Sequence, residues 1–300
     1  MRTDLFEPPT FEHLTPAAAG LVHATPEQRG RAILEERWVL YPRAKQALGA
    51  LNRLVALPRT TRMPSIAVYG DSGMGKTMLM QRFCADHPAR FDPEVGVERT
   101  PVLALQMAGK PGERRLYAQL LAALGLPPPS PRASVVDLEQ SALRVLRAIG
   151  VQVLVIDEVH NILAGSHREQ RVVLNTLRYL SNELKLSLVC FGVAEAREAI
   201  GGDVQLARRF DEISLRRWSA DAEFEALVAS ILRNLPLREP SLLGSRPLRH
   251  LLRVTDGLTA RVFRALNELA VEAIASGRER ITDEAVEHWT PALDAGAAFA

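Results

Sequence analysis

Apolar residues recur along the chain in two alternating patterns. Short continuous runs, SIAVY at 65–69, PVLALQ at 101–106, QVLVID at 152–157 and LSLVCFG at 186–192, read as strands buried on both faces, and ISL at 213–215 as a candidate last strand. Between them the period changes to that of a helix over 75–86, 113–124, 134–149 and 168–184, the last placing Val173, Leu177, Leu180 and Leu184 on one face. This alternation predicts an α/β fold, a parallel five-stranded sheet with helices on both faces. After Trp218 the strand signal stops, and 221–234, 247–254, 259–276 and 282–289 read as helices of a small second domain. Upstream, 1–24 reads as an irregular arm with scattered prolines. Thr25-Pro26-Glu27-Gln28 then signals a helix start, with Thr25 as cap, Pro26 in the first turn and Gln28 closing a capping box. Helical patterning runs on through LEERW and, after Tyr41-Pro42, through AKQALGALNRLVAL until Pro58. LPPPSPR at 126–132 reads as a rigid turn. The chain thus divides into 1–60, an arm and helices; 61–218, the α/β domain; and 219–300, the helical domain and tail.

Composition narrows the picture only slightly. At 300 residues and 47% hydrophobic, the chain can bury one large core, or one core and a small satellite. A net charge of +2 gives no global field of the kind that marks a polyanion binder. The basic residues are almost all arginine, the only lysines being Lys45, Lys76, Lys110 and Lys185. Cys84 and Cys190 lie far apart in apolar contexts without metal-ligand spacing, so buried free thiols are expected. The N-terminus has no apolar signal core, and no run approaches a membrane span. A soluble cytoplasmic protein is the expectation.

The chemistry enters at GDSGMGKT, residues 70–77, which fits G-x-x-x-x-G-K-[ST] between a strand and a helix. Glycines let backbone N–H groups converge on phosphate oxygens, and the following helix aims its positive N-terminus at the same anion. The expected nucleotide-binding residues are Gly70, Asp71, Ser72, Gly73, Met74, Gly75, Lys76, Thr77 and Met78. Lys76 supplies a point charge for the β- and γ-phosphates, and Thr77 a hydroxyl for Mg²⁺. VQVLVIDEVH supplies the second half of such a site: Asp157 for the Mg²⁺ shell and Glu158 to orient or deprotonate an attacking water. The gap between the two motifs leaves room for an inserted strand–helix unit, the pattern of ATPases with a catalytic glutamate rather than of kinases or small GTPases. His160 and Asn161 read as capping residues, with substrate contact or coupling to a partner as the alternative for His160.

Over roughly residues 25–290 the chain resembles the TniB family, the AAA+ ATPases of bacterial transposons, related to TnsC and Mu B. The resemblance is densest in RMPSIAVYGDSGMGKT, VLVIDEVHNILAGSHREQR, LNTLRYLSNEL, and ARRF followed by LRRW. It implies a P-loop NTPase fold of AAA+ type with sheet order 5-1-4-3-2 and a small C-terminal helical lid. It implies ATP as the nucleotide, with Mg²⁺, and homo-oligomers, ring or filament, formed on double-stranded DNA without sequence preference. A DDE transposase is the implied partner, with a target selector such as TniQ as a further one. In LARRFDEISL, Arg209 matches the arginine that reaches a neighbour's γ-phosphate, with Arg208 as fallback. In TDGLTARVFRAL, Arg261 matches a second sensor on the lid, and Arg264 lies one turn on. The loop AGKPGERR, 108–115, with Lys110, Arg114 and Arg115, lies where related proteins track the DNA backbone; the region of Arg168 and Arg171 is a second candidate. One position departs: relatives often place Gly-Thr where this chain has Gly192-Val193, so either Ser187 or Glu195 substitutes as sensor, or hydrolysis is slow. The alternatives are a weakly hydrolysing ATP-gated scaffold, a helicase loader, or a secretion-type ATPase, for which no membrane segment is evident. The N-terminal arm and the tail DAGAAFA are expected to be disordered ends, with partner-binding elements as the alternative.

Overall fold

The computed structural model describes residues 11–107 and 109–291. The arm's first ten residues, Ala108 and the tail lie outside them. The chain forms two compact units, Ala44–Arg216, and Met1–Arg43 together with Arg217–Ala300.

The first unit carries strands β1 (Ser65–Gly70), β2 (Arg90–Asp92), β3 (Val97–Arg99), β4 (Val102–Gln106), β5 (Val153–Asp157), β6 (Ser187–Gly192) and β7 (Phe210–Leu215). Five of them make one sheet in the order β4-β5-β6-β1-β7, every pair parallel. Counting only those five along the chain, the order is 5-1-4-3-2 read from the other edge, as the resemblance implied. All of β5 and β6 is buried, which suits their unbroken aliphatic runs. Helices Glu113–Ala123, Val135–Ala148 and His167–Leu184 cover the sheet, and their Leu116, Leu120, Leu143, Leu146, Leu177 and Leu180 share one core with Leu103, Leu154 and Leu188. The last strand is longer than ISL because β7 is an edge strand: half-buried Phe210 packs against the core, and Asp211 and Glu212 pair with β1 while remaining polar and exposed. The β2–β3 hairpin was not expected; with three residues a side it is too short to show a period.

In a parallel sheet all carboxyl ends face one edge. β1, β5 and β6 therefore deliver Gly70, Asp157 and Gly192 to the same rim, which is where α/β sheets hold ligands.

The second unit is helical: Pro16–Leu21, Pro26–Leu34, Ala222–Leu232, Ser245–Val254, Thr259–Ala275 and Asp283–His288. Two expectations are corrected. The arm contains the helix Pro16–Leu21, started by Thr15 and anchored by buried Leu14, Ala18 and Val22; six residues were too few for a periodic signal. Helical patterning does not continue through LEERW, because the helix ends at Leu34 and Glu35 turns extended at ψ 146°. The Thr25/Gln28 capping box forms as expected. No helix among the described residues is long and apolar enough to cross a membrane. Cys190 is a buried free thiol and Cys84 a half-buried one.

Candidate nucleotide site

The turn after β1 is built by glycine. Gly73 and Gly75 have φ of 80° and 89°, the left-handed region that favours glycine, and the helix Lys76–Asp86 starts at once. A Cβ on Gly70 would meet the Leu215 carbonyl oxygen at 2.8 Å, so the loop's approach to β7 also demands glycine. Met74 is buried beneath the loop, Met78 is half-buried, and Ser72 and Thr77 are exposed. Lys76 folds back on its own loop, Nζ donating to the carbonyls of Gly70 at 2.7 Å and Asp71 at 3.0 Å. It is only 7% exposed, and burial lowers its pKa against the opposing pull of Glu158, Asp157 and Asp71.

Asp157 ends β5 and is 6% exposed. Its Oδ1 accepts the Glu158 N–H at 2.9 Å. Burial raises its pKa above the usual carboxylate range and the Glu158 charge adds to this, while that N–H, Lys76 and His160 pull the other way. Glu158 sits in the left-handed region, φ 54° and ψ 39°, and its Oε2 lies 3.0 Å from His160 Nε2. The capping expectation for His160 and Asn161 is corrected. Both lie in a 3-10 turn, Val159–Ala164, and Asn161 donates its amide to the Met107 carbonyl at 3.0 Å. The next helix is capped by Ser166 and Glu169 instead.

A cleft of 570 Å³ opens beside the loop, lined by Asp71, Ser72, His160, Asn161, Leu163, Ala164, Val193, Ala194 and Glu195. Val193 is therefore at the site, and so is Glu195. Ser187 is not: it starts β6, paired with Val153, at the opposite end of the strand from Gly192.

These residues fit a nucleotide. The loop offers an ammonium, left-handed glycines and a helix N-terminus to phosphate. The Thr77 hydroxyl and Asp157 carboxylate are oxygen donors of the type Mg²⁺ takes.

Arg209 lies elsewhere. Its carbonyl accepts from the N–H of Ser65, the first residue of β1, at 2.8 Å, whereas the phosphate loop leaves the last. Five residues of strand separate the two, about 16 Å at ~3.3 Å per residue, beyond the reach of an arginine side chain. Arg209 Nη1 donates to Asn182 Oδ1 at 2.7 Å, a partner on LRYLSNEL that sequence reading did not single out. Burial lowers its pKa, as do the nearby charges of Arg62 and Arg178, while Asp203 opposes them. Arg208 is exposed.

After β4, Lys110 is exposed in the loop, but Arg114 and Arg115 are corrected to the first turn of the helix Glu113–Ala123, where exposed Arg115 donates Nη1 to the Lys110 carbonyl at 3.2 Å. Arg114 braces the proline-rich turn, donating to the carbonyls of Ser130 at 3.1 Å, Pro131 at 3.2 Å and also Ala133. Pro111 lies so close to Gly165 that a Cβ there would meet its Cγ at 2.3 Å. This loop and the helix start bearing exposed Arg168 and Arg171 therefore share one surface. In the helical unit Arg261 pairs with Asp256, and Arg264 with Glu268 at 2.9 Å.

Comparison with solved structures finds the same architecture. The chain is similar to the Aeropyrum pernix ORC2 protein in its ADP form, at 17% identity and TM-score 0.57, over 85% of this chain and 70% of that one. It is similar to the A. pernix ORC1 protein in complex with DNA, at 17% identity and TM-score 0.56, over 86% and 67%. Cdc6p from Pyrobaculum aerophilum aligns at 16% identity and TM-score 0.57, over 83% and 67%. Likeness at such identities shows the fold alone, that of a P-loop AAA+ ATPase. Comparison with curated proteins finds no match. The family model described as bacterial TniB protein matches residues 29–220, a span that takes in the phosphate loop, Asp157, Glu158 and Arg209. That match covers more than half of the sequence, and the chain belongs to the TniB family.

Proposed function

We propose that this protein is a cytoplasmic, ATP-dependent transposition protein that assembles on double-stranded DNA and recruits a DDE transposase, TniQ being a candidate further partner. The observation that carries this reading is family membership over a span whose phosphate loop and acidic pair share one sheet rim. Bound Mg²⁺ would neutralise phosphate charge, held by Thr77 and Asp157. Lys76 exchanges its two loop carbonyls for phosphate oxygens. Glu158 orients the attacking water. Arg209, too far from its own loop, serves the site of a neighbouring copy in a homo-oligomer, and hydrolysis there dismantles the assembly. Lys110, Arg115, Arg168 and Arg171 contact DNA phosphates, with Arg114 beside them bracing the proline-rich turn. The helices within 219–300 act as the lid, ahead of the tail, with Arg261 as the lid's sensor.

A second reading, a slowly hydrolysing scaffold, is favoured by Val193, which brings no hydroxyl or amide into the cleft. Sedimentation and ATP turnover, with and without duplex DNA, test both in the wild type and Glu158→Gln. The first reading expects ATP-built, DNA-bound assemblies that persist in Glu158→Gln, with turnover in the wild type. Assemblies without turnover favour the scaffold. A monomer with ATP and DNA overturns both.

A further inference from the structure

Glu158 needs to be held. Its left-handed backbone swings the side chain off the line of β5, and a carboxylate on three rotatable bonds samples many rotamers unless something restrains it. His160 lies against it, Nε2 at 3.0 Å from Oε2. The other ring nitrogen, Nδ1, is buried and makes no hydrogen bond. Leaving a buried polar atom unpaired is costly, and such exceptions in folded proteins call for an explanation. The ring rests beside Gly192, a position held to glycine by the close approach of Ala196. A Cβ on Gly192 would lie 3.5 Å from His160 Nδ1 and 2.5 Å from the Cβ of Ala196. The alternatives nearby are unavailable for the task. Asn161 is committed to the Met107 carbonyl, and Val193 has no polar side chain.

We propose that His160 is the positioning residue of Glu158. Its imidazole, seated against Gly192, fixes the carboxylate that must orient water, and does so where position 193 contributes nothing polar. This rests on the hydrolytic reading of Glu158 given above. The histidine acts through the glutamate rather than on the nucleotide, which makes the two residues energetically inseparable in turnover.

The test is a double-mutant cycle on the full chain with Mg·ATP. It reads kcat, KM and Tm for the wild type, His160→Ala, His160→Gln, Glu158→Gln and the Glu158→Gln/His160→Ala pair. His160→Ala should lower kcat by about 10- to 100-fold, the usual effect of removing a group that orients another. KM should stay within about twofold, because binding in the ground state is untouched. His160→Gln keeps an N–H donor and should recover part of the rate. The double variant should be no slower than Glu158→Gln. Wild-type kcat in His160→Ala overturns the proposal. So do losses that multiply in the double variant, or equal losses in Ala and Gln accompanied by a lower Tm. Wild-type turnover no greater than that of Glu158→Gln is a different signature: it overturns the hydrolytic reading itself, and the positioning role with it.

Discussion

At the scale of the residue, Asp157 is held at a cost. Its folded pKa lies above its ordinary value of 3.8, chiefly because burial disfavours the ionised form. A raised carboxylate pKa stabilises the fold only below the ordinary value, and that contribution is lost as pH rises through the folded pKa. At neutral pH the charge opposes folding. Asp157→Asn can still accept the Glu158 N–H through its side-chain oxygen. We expect it to raise the Tm of the nucleotide-free protein at pH 7, by about 1 kcal/mol of stability, as relief of functional-site strain commonly does. On the proposed function, Mg·ATP should stabilise the wild type further, and the same variant should lose that gain. A lower Tm would show that Asp157 is structural. What the sequence reveals at this scale is identity rather than state. GDSGMGKT and the Asp157–Glu158 pair are legible because the phosphate and metal binding proposed for them requires those residue types in that order. That Lys76 bonds its own loop, or that His160 abuts Glu158, depends on backbone angles such as the φ of 54° at Glu158, which no residue pattern specifies.

At the scale of the element, legibility follows length and burial. The buried runs of β5 and β6 and the 18-residue helix His167–Leu184 are strong periodic signals, and each appears close to its expected bounds. Pro16–Leu21 and the β2–β3 hairpin are set by tertiary context and too brief to repeat. The helix His167–Leu184 also shows how a local signal carries the site. Ser166 accepts the Glu169 N–H while Glu169 Oε2 takes the Ser166 N–H at 2.8 Å, a reciprocal cap. Ser166→Ala should cost about 1 kcal/mol. If the loop after β4 rests on this helix start as Pro111 rests on Gly165, duplex DNA affinity should fall as well. Denaturant unfolding and a binding titration on one sample would check both, and an unchanged midpoint would remove the cap's structural role.

At the scale of the whole molecule, a buried ion pair is among the contacts that tie the N-terminal helices of the helical unit to its C-terminal part. Arg29, 1% exposed, holds both oxygens of Glu279, at 2.6 and 2.7 Å, and donates to the Pro236 carbonyl at 3.0 Å. The guanidinium holds the Glu279 carboxyl below its ordinary value of 4.5. A depressed carboxylate pKa gives stability that is present above the ordinary value and lost as pH falls through the folded one. Arg29→Ala should cost about 3–5 kcal/mol at pH 7, because it strands a buried charge. Its deficit against the wild type should shrink as pH drops below 4.5, where Glu279 takes up a proton. A deficit independent of pH would mean that Arg29 acts through packing alone.

The assembly sets the last test. Within one chain Arg209 anchors to the start of β1 and the phosphate loop leaves its end, so a chain cannot serve itself with this residue. If Arg209 acts at all in hydrolysis, it acts on another copy, so the loss of Arg209 and the loss of Glu158 from one chain disable the sites at two different interfaces. Arg209→Ala and Glu158→Gln should each turn over ATP poorly alone. Mixed with ATP and DNA, an Arg209→Ala chain retains Glu158 and can receive Arg209 from its Glu158→Gln neighbour, restoring competent sites at some of the contacts. Turnover of the mixture should therefore exceed the sum of its parts, rising and then falling as the ratio is varied. A mixture that tracks the weighted sum at every ratio would show that Arg209 contributes nothing across the interface.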